Sequence, residues 1–390
     1  MTSWLPPLET ILPADADRAV LIGRAQTPAG PSVVIVRGGE LIDITRDFPT
    51  VSALADQADP AAAALAAGGV SLGSLDDAWR NTDPDTRDER RPFLLSPIDL
   101  QVIKAAGVTF PVSMLERVIE ERARGEAASA DGIRASVQAA LGGDIAGLVP
   151  GSAAAARLKT VLIDQGLWSQ YLEVGIGPDA EIFSKAPVLS SVGAGHDVGV
   201  LAASEWNNPE PEIVIVVSSA CRIVGATLGN DVNLRDIEGR SALLLGRAKD
   251  NNASAAIGPF VRLFDESFSL DDVRRESVTL RVTGNDGFVL DASSHMEQIS
   301  RDPADLAVQA AGTHHQYPDG FVLYLGTMFA PTGDRDEPGR GFTHHIGDII
   351  TISSTRLGAL VGRVAHSEDA PPWRFGIREL MANLAGRGVL

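Results

Sequence analysis

The chain has 390 residues, 44% of them hydrophobic, and its 33 basic and 51 acidic side chains leave a formal charge of −18. That apolar content excludes wholesale disorder, and the length suits one large domain or a large domain with a smaller companion. The negative total argues against electrostatic binding to nucleic acid or anionic membrane, both of which need a basic footprint. Cys221 is the single cysteine, which leaves no internal disulfide framework and no thiolate metal cluster. With no basic n-region at the start and no run of about 18 apolar residues, the expectation is a cytoplasmic protein.

In chain order, residues 20–45 alternate short β-rich runs with turn residues, and an Ala-rich stretch at residues 52–67 reads as helical. Together they predict a small N-terminal α+β domain over residues 1–90. Its boundary falls in the polar, proline-broken segment 81–91. A second domain then covers residues 91–390. After a short run at residues 101–108 the pattern to about residue 142 is helical, with Leu115, Val118 and Ile119 on one apolar stripe. Residues 171–175, 212–217, 223–228, 278–283, 320–325, 348–353 and 358–364 are short, β-branched and separated by Gly, Asp or Asn, and are predicted as strands. Few long helices separate them, so a mixed or antiparallel sheet is expected over a doubly wound parallel one.

The chemistry concentrates at Asn208-Pro209-Glu210-Pro211-Glu212, which leads straight into an Ile/Val run. Alternate residues of a strand share a face, so Glu210 and Glu212 point the same way. If the chain reverses near residue 220 or 221, antiparallel pairing puts Asp231 beside Glu210. Three acids at cross-strand spacing repel unless protons or a cation intervene. An all-oxygen set of this kind suits Mg²⁺ or Mn²⁺ rather than Zn²⁺. From spacing alone, ordinary exposed acids at a strand end fit equally.

These residues resemble the fumarylacetoacetate hydrolase superfamily, whose Glu-x-Glu strand and Asn-Asp-Val segment stand here as Glu210-Pro211-Glu212 and Asn230-Asp231-Val232. The likeness continues through Arg235-Asp236, Lys249, Ile257-Gly258-Pro259, Leu325-Gly326-Thr327 and the hairpin from Gly347-Asp348 to Gly358. The resemblance implies an α+β chain whose C-terminal domain is a mixed β-sandwich or roll. It also implies a Mg²⁺ ion, replaceable by Mn²⁺, held by Glu210, Glu212 and Asp231, and a homo-oligomer, dimer or tetramer. Within the superfamily the segments from Lys104 to Glu121, from Gly166 to Phe183, from Asn230 to Asn252 and from His315 to Phe321 are most similar to sugar-acid dehydratases of the 2-keto-3-deoxy-D-xylonate group.

The hydrolases and decarboxylases commonly carry a His and a Glu that handle water in the first of these segments. Here the His position is Ser113 and the Glu position is Glu116. A lone carboxylate still moves protons in an elimination, although Glu116 and Glu120 also fit a solvated helix face with Arg124 at i, i+4 spacing. The resemblance therefore implies a lyase, a hydro-lyase that converts 2-keto-3-deoxy-D-xylonate (2-dehydro-3-deoxy-D-pentonate) to 2-oxoglutarate semialdehyde (2,5-dioxopentanoate) in pentose breakdown. Glu116, Ser113 and Lys249 are its expected proton-transfer groups, and Lys185, Arg235, Thr327 and His315 its expected substrate contacts. A C–C hydrolase of acylpyruvates or an oxaloacetate decarboxylase is the alternative. The pairs His314-His315 and His344-His345 are not read as metal sites, because neighbouring side chains diverge in extended chain. The glycine runs at 175–177 and 191–195 lack the full spacing of a phosphate loop.

Overall fold

The computed structural model describes residues 3–124, 148–164, 166, 168–328, 331, 333–336 and 341–390. Short β-branched runs broken by turn residues cannot bury both faces alone, and here they assemble into two packed sheets and a two-stranded ribbon of Asn207–Asn208 and Asn233–Leu234. The N-terminal meander is β1 (Leu21–Thr27), β2 (Gly30–Arg37), β3 (Glu40–Asp43) and β4 (Val70–Ser74), followed by β5 (Phe93–Leu94). Strands β6 (Val102–Gly107) and β7 (Glu181–Ala186) flank a helical excursion that includes the helices Pro111–Ala123, Ala153–Asp164 and Gln170–Ile176. Next come β8 (His196–Val200), β9 (Asn207–Asn208), β10 (Pro211–Val217), β11 (Ile223–Asp231), β12 (Asn233–Leu234) and β13 (Ala255–Leu263). The last group is β14 (Ser277–Thr283), β15 (Val289–His295), β16 (Phe321–Tyr324), β17 (Ile349–Ser354) and β18 (Gly358–His366).

The larger sheet runs β4-β3-β2-β1-β13-β11-β10-β16-β6-β7, and β5 pairs with β1. It is antiparallel except where β16 lies parallel to β6. Because β1 bonds to β13, with Leu21 opposite Arg262, the first strands of the chain extend the sheet that carries the acids. The second sheet runs β15-β14-β17-β18-β8. Every residue of β10 is buried, as expected for a central strand covered on both faces. Its odd residues Ile213, Ile215 and Val217 join Val278, Leu280 and Ile352 in the core between the sheets. Its even residues Val214 and Val216 pack with Tyr324, Leu54 and Ala64 on the outer face, under the helices Val51–Ala55 and Pro60–Ala66.

Two expectations change. Residues 171–175 are helical, within Gln170–Ile176; Ser169 caps the helix, and its buried residues Tyr171, Leu172, Gly175 and Ile176 follow a helical period rather than a strand's. The Ala-rich stretch is two helices, because Asp59 caps the second and Pro60 stands at its first position, where it cannot continue the helix before it. The expected helix after residue 97 is Pro111–Ala123, with Val118 and Ile119 buried; its continuation over 125–142 and the Leu115 side chain lie outside the described residues. No described helix is long and apolar enough to cross a membrane.

Candidate metal centre and its cavity

The β10–β11 hairpin sets the geometry. Glu212 lies opposite Gly229 and Pro211 opposite Asn230, and the Asp231 amide donates to the Glu210 carbonyl at 3.0 Å. The register therefore puts Asp231 against Glu210, and a bulge at Val216/Val217 absorbs the turn. The same count carries on through Asn208 opposite Asn233. Cross-strand partners share a face, so Glu210, Glu212 and Asp231 converge. One carboxylate oxygen from each lies within 4.8 Å of the others, and all three residues are buried.

Glycines make room for this. Gly229 would drive a Cβ to 2.3 Å from the Tyr324 ring and 2.5 Å from Val214. Gly326, at φ +98, turns its amide onto Glu212 Oε2 at 2.7 Å. A side chain there would meet Thr109 Oγ1 at 2.0 Å. On the cavity wall, Val108 holds φ +56, which a β-branched residue rarely adopts.

Buried cations surround the acids. Lys249 Nζ bonds Glu210 and lies 3.1 Å from Asp231 Oδ2, while Lys185 Nζ lies 2.9 Å from Asp231 Oδ1. Lys185 also donates to the carbonyls of Val232 and Lys249. Arg117, from the helix Pro111–Ala123, pairs with Glu210 and, at 3.1 Å, with Glu238. The electrostatics divide the acids. Burial and the neighbouring Asp231 and Glu210 push Glu212 well above the usual carboxylate range. Burial also opposes ionisation of Asp231, but Lys185 and Lys249 outweigh it and hold the group low. Lys249 is itself held high: burial disfavours its charge, and Asp231 and Glu210 more than compensate.

The cavity is lined by Ala106, Gly107, Val108, Arg117, Glu181, Phe183, Glu210, Glu212, Asp231, Glu238, Lys249 and Thr327. Of the residues singled out from sequence, the three acids, Lys249 and Thr327 line it, and Lys185 stands behind Asp231. Arg235 is instead stacked on Trp206, 4.4 Å from the ring centroid, and paired with Glu116 at 3.2 Å. Glu116 is therefore engaged with Arg235 and does not line the cavity. Ser113 Oγ donates to the carbonyl of Phe110, just before its helix, at 2.9 Å. His315 is exposed and packs edge-on against Tyr317. It precedes Phe321, which pairs with Val217 at the far end of β10 from the acids. His344 is buried beside Asp348 and His345 is half-buried between Asp286 and Asp336, and neither lines the cavity.

Three cavity residues escape the sequence reading: Arg117, Glu181 and Glu238. Glu181 lies opposite Gly107 at the end of the β6–β7 pair, and its carboxyl occupies the space a Gly107 side chain would need. Burial raises it above the usual carboxylate range, against the pull of Arg117 and Lys249. It makes no ion pair with a described residue.

The donor set suits a divalent ion. Counted together, five carboxyl groups, buried Glu210, Glu212, Asp231 and Glu238 and half-buried Glu181, face three cations (Arg117, Lys185, Lys249). With all ionised, these eight residues carry two negative charges that a Mg²⁺ ion balances. All-oxygen donors at this spacing fit Mg²⁺.

Residues 173–365 match the family model for the fumarylacetoacetate (FAA) hydrolase C-terminal domain. That segment of the chain is similar to this family, and the hairpin bearing the triad lies inside it. More particularly, the chain is 30% identical over 187 residues to the 2-dehydro-3-deoxy-D-arabinonate dehydratase of Saccharolobus solfataricus, covering 46% of this chain and 57% of that protein. It is also 30% identical over 194 residues to a probable 2-keto-3-deoxyxylonate dehydratase of Haloferax volcanii, covering 50% of this chain and 63% of that one. The match thus spans about three-fifths of the length of these relatives. Among solved structures, the fold is similar to that of a 2-keto-3-deoxy-D-arabinonate dehydratase complexed with magnesium and 2,5-dioxopentanoate. That likeness has a TM-score of 0.59 at 19% identity and covers 89% of this chain and 99% of that chain.

Proposed function

We propose that the chain is a Mg²⁺-dependent dehydratase of 2-keto-3-deoxy-D-pentonate, with 2,5-dioxopentanoate (2-oxoglutarate semialdehyde) as product. The observation that carries this reading is the pairing, in one cavity, of the acid triad with a half-buried carboxyl group, Glu181, that makes no ion pair with a described residue, and with no histidine among the described lining residues. Attack of water on a carbonyl needs a positioned base for that water, and the Ser113 hydroxyl is bonded to the Phe110 carbonyl. Elimination needs only proton transfer. The names of the two curated relatives, and the product held by the solved neighbour, support the same reaction. A 2-keto-3-deoxy acid has lost the C2 and C3 stereocentres, so the D-arabinonate and D-xylonate names share the one remaining centre, at C4.

Mg²⁺ held by Glu210, Glu212 and Asp231 would supply positive charge where electron density builds up at the 2-oxo group as the C3 proton leaves. Lys249 and Arg117 add fixed positive charge facing the substrate carboxylate, and Thr327 lies beside the Gly326 amide on the same wall. Glu181 takes the C3 proton and returns it to the departing C4 hydroxyl, which leaves as water. Its desolvation strengthens it as a base and keeps its acid form accessible. The C3=C4 double bond left behind gains a C3 proton and loses one from C5, giving the enol of the C5 aldehyde. Glu116 serves by holding Arg235.

Purified enzyme with Mg²⁺ is expected to turn over 2-keto-3-deoxy-D-pentonate with a kcat/KM at least about a hundredfold above that for acylpyruvates or oxaloacetate, about 2.7 kcal/mol in transition-state binding. Efficient acylpyruvate cleavage with no sugar-acid dehydration contradicts the proposal and favours the hydrolase alternative.

A further inference from the structure

The face that carries the metal ligands does not stop at Glu210 and Asp231. One rung further along the same two chains stand Asn208 and Asn233, directly opposite each other. Alternation puts them with the triad: Val232 and Leu234 belong to the core between the sheets, so Asn233 faces the other way, as Asp231 does. Both asparagines are fully buried. Yet Oδ1 and Nδ2 of Asn233, and Oδ1 of Asn208, make no hydrogen bond with a described residue; Asn208 Nδ2 is used on the Pro209 carbonyl at 2.8 Å. A buried amide without partners is costly, so such a pair is not a neutral filling of the fold. The next rung out is closed by Arg235 on Trp206, pinned by Glu116.

We infer that Asn208 and Asn233 form the subsite for the terminal hydroxyl of the substrate's carbon chain. This rests on the reading of the triad as the site that binds the 2-oxo acid end. Two residues along a strand span roughly 6.8 Å. In an extended 2-oxo pentonate, C2 and the C5 oxygen are separated by three C–C bonds of about 1.5 Å and one C–O bond, roughly 5 Å end to end. An amide reaching back from the neighbouring rung meets that oxygen. The chemistry is complementary: a hydroxyl accepts from Asn233 Nδ2 and donates to Asn208 Oδ1 or Asn233 Oδ1. The Trp206–Arg235 rung beyond leaves no length for a longer chain.

The test is equilibrium calorimetry on the Mg²⁺-loaded enzyme with two acids that differ only in the terminal hydroxyl, 5-hydroxy-2-oxopentanoate and 2-oxopentanoate. Neither has a C4 hydroxyl to lose, so binding is readable whether or not the enzyme is a dehydratase. The wild type is expected to bind the hydroxylated acid at least about tenfold tighter, because a polar subsite is left unpaired by the analogue that lacks the group. Asn233→Leu, similar in shape, should bring the two within about twofold by weakening only the hydroxylated acid. Equal binding by the wild type overturns the inference and leaves the amides to solvent. So does an Asn233→Leu enzyme that keeps the preference or weakens both acids alike. If Asn233→Leu does not fold by circular dichroism, Asn208→Leu gives the same readout and the wild-type ratio still decides. A wild type that keeps the preference but never dehydrates the pentonate overturns the dehydratase reading alone; dehydration without the preference overturns the subsite alone.

Discussion

Asp231→Asn and Glu212→Gln are both expected to abolish Mg²⁺ binding and to lower turnover at least about a thousandfold, about 4 kcal/mol, while moving the stability of the metal-free protein in opposite directions. Asp231 neutralises two buried lysines, Lys185 at 2.9 Å and Lys249 at 3.1 Å. Removing one partner of a buried ion pair strands the other charge and costs about 3–5 kcal/mol, so the Asp231→Asn melting temperature falls. Glu212 has no lysine of its own; the Gly326 amide is its bonded partner, and the charges of Asp231 and Glu210 work against it. Burial and those neighbours already disfavour its charge, so replacing it by neutral Gln leaves the metal-free melting temperature unchanged or higher. In both variants the rise in melting temperature on adding Mg²⁺ disappears, because that rise measures binding to the folded state. Thermal scans with and without Mg²⁺, alongside calorimetry, check this. A full Mg²⁺-induced rise in either variant contradicts the ligand assignment.

Glu181→Gln is expected to lower kcat by roughly two to four orders of magnitude, the usual worth of a positioned acid or base, with Mg²⁺ affinity little changed. Glu116→Gln should cost much less and act through Arg235. The structure makes the distinction: Glu181 lines the cavity without an ion pair to a described residue, whereas Glu116 is paired at 3.2 Å with Arg235 on Trp206. A collapse in Glu116→Gln with near-normal kcat in Glu181→Gln would return the proton transfer to the residue that sequence alone favoured.

The triad was legible because it depends on two local rules, the two-residue alternation of a strand and the register of one hairpin. Glu210 and Glu212 share a face by the first, and Asp231 meets Glu210 by the second. Applied to β7, the same alternation would have found Glu181: Lys185 was singled out, and Phe183 and Glu181 follow it on the same face. Two features hid that strand. The polar residues of Glu181–Ala186 mask it as a strand, and its partner β6 is separated from it by more than seventy residues of chain. Arg117 was hidden differently. On a helix, adjacent residues face about 100° apart, and sequence cannot say whether Glu116 or Arg117 turns inward; the packing of Val118, Ile119 and Met114 with Tyr171 and Trp206 decides it. His315 shows the converse limit, since proximity to a recognisable segment did not place it in the cavity. The strand β13 was obscured by the Gly258-Pro259 pair in its middle.

The most direct test of the central claim is the identity of the product. Enzyme stripped by chelator and reloaded with Mg²⁺ is incubated with 2-keto-3-deoxy-D-pentonate, and 2,5-dioxopentanoate is followed through an aldehyde dehydrogenase and by mass. The account predicts stoichiometric aldehyde with loss of one water per substrate, abolished in chelator and restored by Mg²⁺. Unchanged substrate in the presence of Mg²⁺, or aldehyde formation at the same rate in chelator, would contradict it.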